Sequence, residues 1–384
     1  MGNSHTRKIL GTFALASFLN DLGSDMVYPV WPLFVTSVLG GSMTFLGFLD
    51  GLGEALVSFS QAGSGFLSDR LQKRKVFIWL GYIFASASRI GYGASTSVYH
   101  LVPFKALDRL GKIRGAPRDA MVADMSTRKT RGSAFGLLRT LDNLGAVCGV
   151  LVCIAVVQKI GYRTLFYIAA VPSLVGAFLI LYLVKERKTG SIYTRLSLKD
   201  LSPNLKLFFL LSAVFALGAF SYSFLLIFAR DSGYSTGFVP VLYLIFTATA
   251  SAFSYPFGKM ADRTSRKTVL MTAFSLFGIL CAGFVLWGRY TIQGGTYTII
   301  PLFFLYGIHK GALDPVQRTL VSELAPPSRK ASILGAYQMI MGLCAFAASL
   351  LAGLLWDTYG MTAPFMFTMT TSGVAALLMT LVEE

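Results

Sequence analysis

Four carboxylates interrupt the long apolar stretches near the start of the chain. Asp21 and Asp25 lie four residues apart and follow Asn20, and Asp50 and Glu54 repeat the spacing. Residues four apart in a helix share one face. Ionisable groups at membrane depth are costly, so they mark candidate sites for a substrate, a proton or another cation. We expect at least one of these carboxylates to bind and release such a cation.

Cations at similar depth offer a second interpretation. The nearest ones, judged by distance from the predicted helix ends, are Arg89, Lys105, Arg109 and Arg139. Four carboxylates cannot all stay ionised in a low dielectric without partners, so either cations pair with them or some carry protons. An ion-paired scaffold inside the first half is therefore the alternative. Arg109 and Asp142 are further candidates for substrate or proton binding.

A second charged group occurs in "HKGALDP", inside the tenth apolar stretch. His309 could titrate near neutral pH, and Lys310 could face an anionic substrate. The alternative is an ion pair between Lys310 and Asp314, four residues apart, with His309 packed in the core. Both residues are therefore kept as candidates.

The stretches that carry these groups predict an all-α membrane protein. Hydrophobic residues make up 54% of the 384 positions, charged residues 14%, and the mean hydropathy is +0.62. A spanning helix needs about 20 largely apolar residues. Twelve stretches qualify, near 9–38, 42–68, 75–95, 97–117, 133–157, 163–184, 206–229, 237–260, 267–288, 297–318, 331–356 and 363–382.

The net charge of +16 follows the predicted topology. Basic clusters recur between alternate stretches, at 70–75, 128–131, 185–199, 263–267 and 329–330. This positive-inside pattern predicts a multi-pass membrane protein with both termini in the cytoplasm, and the lack of long loops favours a prokaryotic plasma (inner) membrane. We accordingly expect the lipid bilayer, and no nucleic acid, as the partner of the basic charge.

The chain also repeats itself. "GFLSDRLQKRK" from Gly65 and "GKMADRTSRK" from Gly258 write the same charged turn 193 positions apart. "RGSAFGLL" and "GYRTLFYIAA" recur as "KASILGAY" and "GMTAPFMFTM", both at an offset of 199. The polar segment 185–206 separates the copies. We predict a six-helix bundle over 1–184, a cytoplasmic linker over 185–206, and a second bundle over 207–384.

The repeated turn resembles the signature loop of the major facilitator superfamily, except that Gln72 replaces its usual glycine. The resemblance extends over the whole chain, and the segment "GKIRGAPRDAMVAD" is similar to the sequences of a prokaryotic branch of the superfamily. It implies the MFS fold, alternating access, and a central cavity lined by the first and fourth helices, which favours Asp21 and Asp25. The implied gating residues are Gly65, Asp69, Arg70, Gly258, Asp262, Arg263 and Arg118. The basic clusters can pair with Asp124 or Glu323 on neighbouring turns.

Three glycines also resemble the start of a family motif associated with exporters. Gly136, Gly145 and Gly149 keep its spacing, but Val150 replaces its proline. Small residues four apart permit close helix packing whatever the direction of transport. Packing is therefore the alternative interpretation of these glycines.

These observations predict a proton-coupled exporter of a small amphipathic or cationic compound. Its alternatives are a carrier for a divalent metal ion or an anionic metabolite, and a receptor or lipid-handling protein without transport. The chain has neither a P-loop nor zinc-ligand spacing, so we expect no enzyme activity and no cofactor. Its four cysteines lie in apolar stretches and are expected to be small buried hydrophobes. A monomer is expected.

Overall fold

The computed structural model describes residues 2–71, 73–126, 131–185, 202–290, 299–325 and 330–382, and all regular structure in these ranges is helical. The α-helices are α1 (Gly2–Val27), α2 (Trp31–Leu33), α3 (Met43–Leu71), α4 (Arg74–Ala94), α5 (Leu101–Leu110), α6 (Gly115–Met125), α7 (Arg131–Leu183), α8 (Pro203–Gly218), α9 (Tyr222–Asp231), α10 (Val239–Arg263), α11 (Arg266–Tyr290), α12 (Ile300–Leu324), α13 (Lys330–Tyr359) and α14 (Ala363–Leu378).

Within the described residues, each of the twelve predicted stretches coincides with helix, although several are interrupted. The first comprises α1, α2 and the π-helical turn Phe34–Val38; the fourth comprises α5, the 3₁₀ turn Gly111–Arg114 and α6. The seventh comprises α8 and α9. The fifth and sixth both lie in α7, which has non-helical backbone at Gly161 with φ of 74°. Glycine adopts this positive-φ conformation at little cost. Because the conformation is not helical, it separates the fifth stretch from the sixth, between residues 157 and 163.

Six helical stretches in the described residues are long and apolar enough to cross a membrane by length and composition alone: Ala134–Leu183, Pro203–Asp231, Val239–Arg263, Arg266–Gly288, Ile333–Tyr359 and Ala363–Leu381. The long helices below this threshold include those with the ionisable candidates. Asp21 lies in α1, Asp50 in α3, Arg89 in α4 and Lys310 in α12. Their charges lower the hydropathy of helices that are otherwise apolar.

The chain forms two compact units whose boundary differs from the predicted one in one segment. Residues 1–40 and 56–193 form the first unit, and residues 41–55 and 194–384 form the second. The division falls within α3, so its beginning belongs with the second unit. Most of the predicted linker, 186–201, lies outside the described residues.

Close helix packing organises the first unit. A Cβ at Gly145 would lie 2.3 Å from Phe18 O, and one at Gly149 would lie 2.3 Å from Leu22 O. Glycine at these two positions lets α7 approach the backbone of α1. At Gly136 an added Cβ meets nothing within 4 Å. The packing interpretation therefore holds for two of the three glycines.

The second unit has an aromatic core. Phe215 stacks on Phe274 with ring centroids 4.1 Å apart, and Phe284 stacks on Phe365 at 4.9 Å. Residues 41–55 pack on α13, where a Cβ at Gly47 would lie 2.1 Å from Ser349 O. These contacts explain why the first half of α3 groups with this unit.

Candidate functional site

Asn20 and the α1 carboxylates lie together in the first unit. Asn20 is 1% exposed, whereas Asp21 and Asp25 are half-buried. The amide Nδ2 of Asn20 donates to Asp21 Oδ1 over 2.9 Å. Asp25 lies one turn further along α1 and acts electrostatically on Tyr28. Both carboxylates are thus partly accessible, and Asp21 accepts a hydrogen bond from the buried Asn20.

Arg89 binds neutral groups around this pair. It donates to the carbonyl oxygens of Ala169 and Asn20 over 2.8 and 3.3 Å. It also donates to Ser24 Oγ over 2.7 Å and to the hydroxyl of Ser173. Arg89 therefore joins α1 to α7 by hydrogen bonds, whereas the sequence suggested an ion-pair partner for the carboxylates.

The fourth span adds a row of charges. Lys105 Nζ lies 4.1 Å from the centroid of the Trp31 ring, and Arg109 Nε lies 3.6 Å from Asp108 Oδ2. Arg109 also donates to Tyr28 Oη over 3.4 Å. Lys112 follows on the 3₁₀ turn, and Asp21 acts on it electrostatically.

Two residues of this row, Asp108 and Lys112, were not among the candidates predicted from the sequence. They lie three and seven positions after Lys105, with Arg109 four positions after it. This spacing places all four residues on one helical face, and it is the sequence pattern from which Asp108 and Lys112 could have been predicted.

Asp142 and Arg118, predicted for different roles, lie in one ionic cluster. Arg118 Nη1 lies 3.8 Å from Asp142 Oδ1, and Arg139 Nη1 lies 3.6 Å from Asp142 Oδ2. Arg118 Nε also donates to Asp119 over 3.0 Å. Asp142 is 8% exposed, so this cluster resembles the scaffold interpretation more than an open binding site.

Asp50 and Glu54 belong to the second unit, although the sequence placed them in a first-half cluster. Asp50 Oδ2 accepts hydrogen bonds from Ser223 Oγ and, over 2.8 Å, from Ser221 Oγ, both at the start of α9. Glu54 is exposed in the structure and acts electrostatically on Lys310. The reason for the difference is the division of α3 between the units.

Lys310 and His309 have different surroundings despite being neighbours in sequence. Lys310 is half-buried, and Tyr306 and Asp314 act on it electrostatically together with Glu54. His309 is 1% exposed, its Nδ1 lies 2.8 Å from Ala273 O, and its ring stacks on Phe277 at 4.5 Å. The structure therefore places His309 in the aromatic core, as the packing interpretation has it.

The first charged turn forms structural contacts. Arg74 pairs with Asp124, the partner suggested by the sequence, and Lys75 Nζ donates to Leu181 O over 2.6 Å at the end of α7. A Cβ at Gly65 would lie 3.5 Å from Ala116 Cβ, an ordinary distance that does not require glycine. Arg70 is exposed, and the side chain of Asp69 lies outside the described residues.

The second turn repeats these contacts. Arg266 Nη2 lies 2.6 Å from Glu323 Oε1 and 3.2 Å from Asp262 Oδ1. Lys267 Nζ donates to Thr380 O and Val382 O, each over 2.6 Å. In both units, an arginine pairs with a carboxylate, and the next lysine donates to backbone carbonyl oxygen near the C-terminal end of the last helix: within α7 in the first unit and just after α14 in the second. At Gly258 an added Cβ meets nothing within 4 Å, and Arg263 is exposed.

Among the described residues, no group of three or more His, Cys, Asp or Glu side chains could hold a metal ion. The four cysteines are free; Cys153 and Cys281 are buried, and Cys148 and Cys344 are half-buried.

Comparisons with known proteins agree on one family. A family model described as Major Facilitator Superfamily matches residues 13–228 and 207–384. The MFS-type transporter MJ1317 of Methanocaldococcus jannaschii is 36% identical over 352 residues, covering 88% of this chain and 86% of that protein. The multi-drug resistance efflux pump PmrA of Streptococcus pneumoniae is 25% identical, covering 81% and 79% of the two chains. The crystal structure of a mutant form of the nucleoside transporter NupG is similar with a TM-score of 0.81 at 13% identity, covering 98% of this chain and 100% of that one.

Proposed function

Because the chain belongs to the major facilitator superfamily, we propose that it is a secondary active transporter that exports a small amphipathic or cationic compound in exchange for protons. The observation that carries the proposal is that accessible carboxylates lie within helices of both units. Asp21 and Asp25 are half-buried in the first, and Glu54 is exposed beside Lys310 in the second. Such groups at membrane depth mark ion and substrate pathways.

Exchange follows from competition for these carboxylates. A cationic compound is attracted to an ionised carboxylate, and a proton removes that attraction. Proton uptake on one side of the membrane therefore favours release of the compound there. Each proton that enters down a potential supplies about 2.3 kcal/mol per 100 mV. The efflux pump among the relatives supports the direction. We expect a plasma membrane location with both termini cytoplasmic, which the distribution of Lys and Arg supports.

An anionic metabolite is the second candidate, favoured by the charge of the fourth span. Between Leu101 and Arg114 it contains one carboxylate, Asp108, and four cations: Lys105, Arg109, Lys112 and Arg114. An anion and a proton would bind to such a unit cooperatively, since protonation of Asp21 increases the positive charge. This candidate therefore predicts that protons and substrate move in the same direction.

The direction of a pH change distinguishes the two candidates. Purified protein is reconstituted into liposomes that contain a pH-sensitive dye, and a permanently charged probe is added outside. Ethidium represents the amphipathic cations and naphthalene-2-sulfonate the anions; neither carries a titratable proton of its own near neutral pH. Exchange of ethidium for protons raises the internal pH, whereas entry of the sulfonate together with protons lowers it. No pH change with either probe, while ethidium accumulates, would contradict proton coupling.

The carboxylates are tested in the same assay. We expect Asp21→Asn, Asp25→Asn and Glu54→Gln to reduce or abolish proton-linked flux. Asp231→Asn is the matched control, since Asp231 pairs with the adjacent Arg230 at the end of α9. Flux that persists unchanged in all three variants would remove these residues from the coupling mechanism.

The repeated charged turn is proposed to act in gating. Its support is that Arg74 and Arg266 make matching ion pairs in the two units. We expect Asp69→Asn to slow transport without changing the affinity for the probe, which the concentration dependence of flux measures. A change in affinity at full maximal rate would contradict a gating role.

A further inference from the structure

A line of hydrogen bonds in the first unit ends at Asp21. Arg89 Nη1 donates to Ser173 Oγ, and the Ser173 hydroxyl donates to Asn20 Oδ1 over 3.0 Å. Asn20 Nδ2 then donates to Asp21 Oδ1 over 2.9 Å. Arg89, Ser173 and Asn20 are 1%, 0% and 1% exposed, so water has little access to these links. Arg89 thus connects to Asp21 through two intermediate side chains.

Arg89 determines which group donates and which accepts in each hydrogen bond of this line. A guanidinium only donates hydrogen bonds, so Ser173 Oγ accepts from it and the Ser173 hydrogen is available for Asn20. The Asn20 side chain must then turn its oxygen toward Ser173 and its NH₂ group toward Asp21. This removes the usual ambiguity in the orientation of an amide. The line therefore ends with an N–H donor directed at Asp21 Oδ1.

The position of Arg89 is itself fixed. Besides Ser173, its guanidinium donates to Ala169 O, Asn20 O and Ser24 Oγ. A Cβ at Gly23 would lie 2.3 Å from Arg89 Nη1, so the absence of a side chain there leaves room for the guanidinium. The origin of the line is therefore held by the backbones of α1 and α7.

We propose that Arg89 and Ser173 are positioning residues for Asp21. They orient the Asn20 amide so that it favours the ionised carboxylate, and they thereby set the pH at which Asp21 takes up a proton. The inference rests on the proposed function, in which Asp21 exchanges a proton during transport. It differs from an ion pair because Arg89 acts through Ser173 and Asn20.

Other charged groups also face Asp21. Arg89 on α4, Lys112 on the 3₁₀ turn and Asp142 on α7 interact with it electrostatically, and Asp25 lies one turn away on α1. A change at Ser173 leaves all of these charges in place and interrupts only the line of donors. Ser173 is therefore the position at which the proposal is tested.

The test measures protonation of Asp21 directly. The infrared band of a protonated carboxylic acid is followed against pH in the full-length protein in lipid, and the Asp21 band is identified by its loss in Asp21→Asn. In Ser173→Ala we expect the midpoint pH of this band to rise by about one unit, a tenfold change in proton affinity. Ser173→Thr keeps the hydroxyl and should restore the midpoint.

The matched control is Ser86→Ala. Ser86 is 2% exposed and donates to Ala170 O over 2.9 Å, so it joins α4 to α7 by a buried hydroxyl whose hydrogen bond is not part of the line to Asp21. Its substitution should leave the midpoint unchanged.

An unchanged midpoint in Ser173→Ala, an equal shift in Ser86→Ala, or an Asp21 that stays ionised throughout the titration of Ser173→Ala would overturn the inference. Because the readout needs no substrate, the two proposals fail separately. A shifted midpoint without proton-linked flux would contradict only the proposed function. Flux that depends on Asp21, with no shift in Ser173→Ala, would contradict only this inference.

Discussion

Two glycines on α7 should respond oppositely to the same substitution. A Cβ at Gly145 would lie 2.3 Å from Phe18 O and 3.0 Å from Phe18 C, both on the backbone of α1. Ordinary contact begins near 3.4 Å, so α1 and α7 would have to separate by about 1 Å. Gly145→Ala should therefore destabilise the first unit by about 1–3 kcal/mol, the usual cost of overpacking.

Gly136→Ala is the control on the same helix. Gly136 is exposed and an added Cβ meets nothing within 4 Å, so only the helix propensity changes. Alanine should stabilise the helix there by up to about 1 kcal/mol. For a unit of this size, about 1 kcal/mol corresponds to a shift of about 2–4 °C in Tm.

Buried cysteines supply the assay. Cys153 in α7 and Cys281 in α11 are each 0% exposed, so a thiol-reactive dye should label them only after unfolding. With Cys148 and Cys344 replaced by alanine, a variant that retains only one buried cysteine reports on one unit. The effect at Gly145 should appear at the Cys153 probe. If Gly145→Ala and Gly136→Ala gave equal melting temperatures, the close approach of α1 and α7 would not be the reason for glycine.

Three further outcomes are expected. Asp357, on α13, accepts hydrogen bonds from the first backbone N–H groups of α3. Asp357→Ala should therefore lower Tm by the equivalent of about 1 kcal/mol. Asp231→Ala, which removes the more exposed ion pair with Arg230, should lower Tm less. Because His309 is packed between aromatic rings, His309→Gln should lower Tm but leave the pH dependence of flux unchanged; a shifted pH profile would restore it as a proton carrier. Arg266→Glu should impair folding or transport, and adding Glu323→Arg should recover part of the loss, because the reversed charges can pair again. Membrane yield and flux measure the two effects. If nothing is recovered, the ion pair between these residues is not the reason for the loss.

The helical architecture could be predicted because the bilayer restricts spanning segments to a narrow range of lengths and hydropathies. The separation of the fifth and sixth apolar stretches was predicted as well, and Gly161 lies within the gap between them. The division of α3 was not predictable in this way. Both parts of α3 are apolar with small residues, and nothing in their periodicity distinguishes a partner in α13 from one in the first unit.

The candidate site was predictable to the extent that charge is unusual in an apolar helix. Asn20 and Asp21 stand out for that reason, and the structure shows them hydrogen-bonded to each other. Ser173 does not stand out, because a serine in an apolar helix commonly bonds its own backbone and has no spacing to mark it. Its position beside Asn20 depends on how α7 packs on α1, which only the folded chain shows.

The membership of residues 41–55 in the second unit has a consequence for experiments with separated halves. A fragment that ends after α7 contains these residues but lacks Ser349, Phe346 and Asp357, against which they pack. Expressed alone, it would carry half a helix whose glycines have no surface to contact. The second fragment would lack the segment that covers its own α13. Fragment complementation should therefore succeed when the two pieces are produced together, and each piece alone should be degraded.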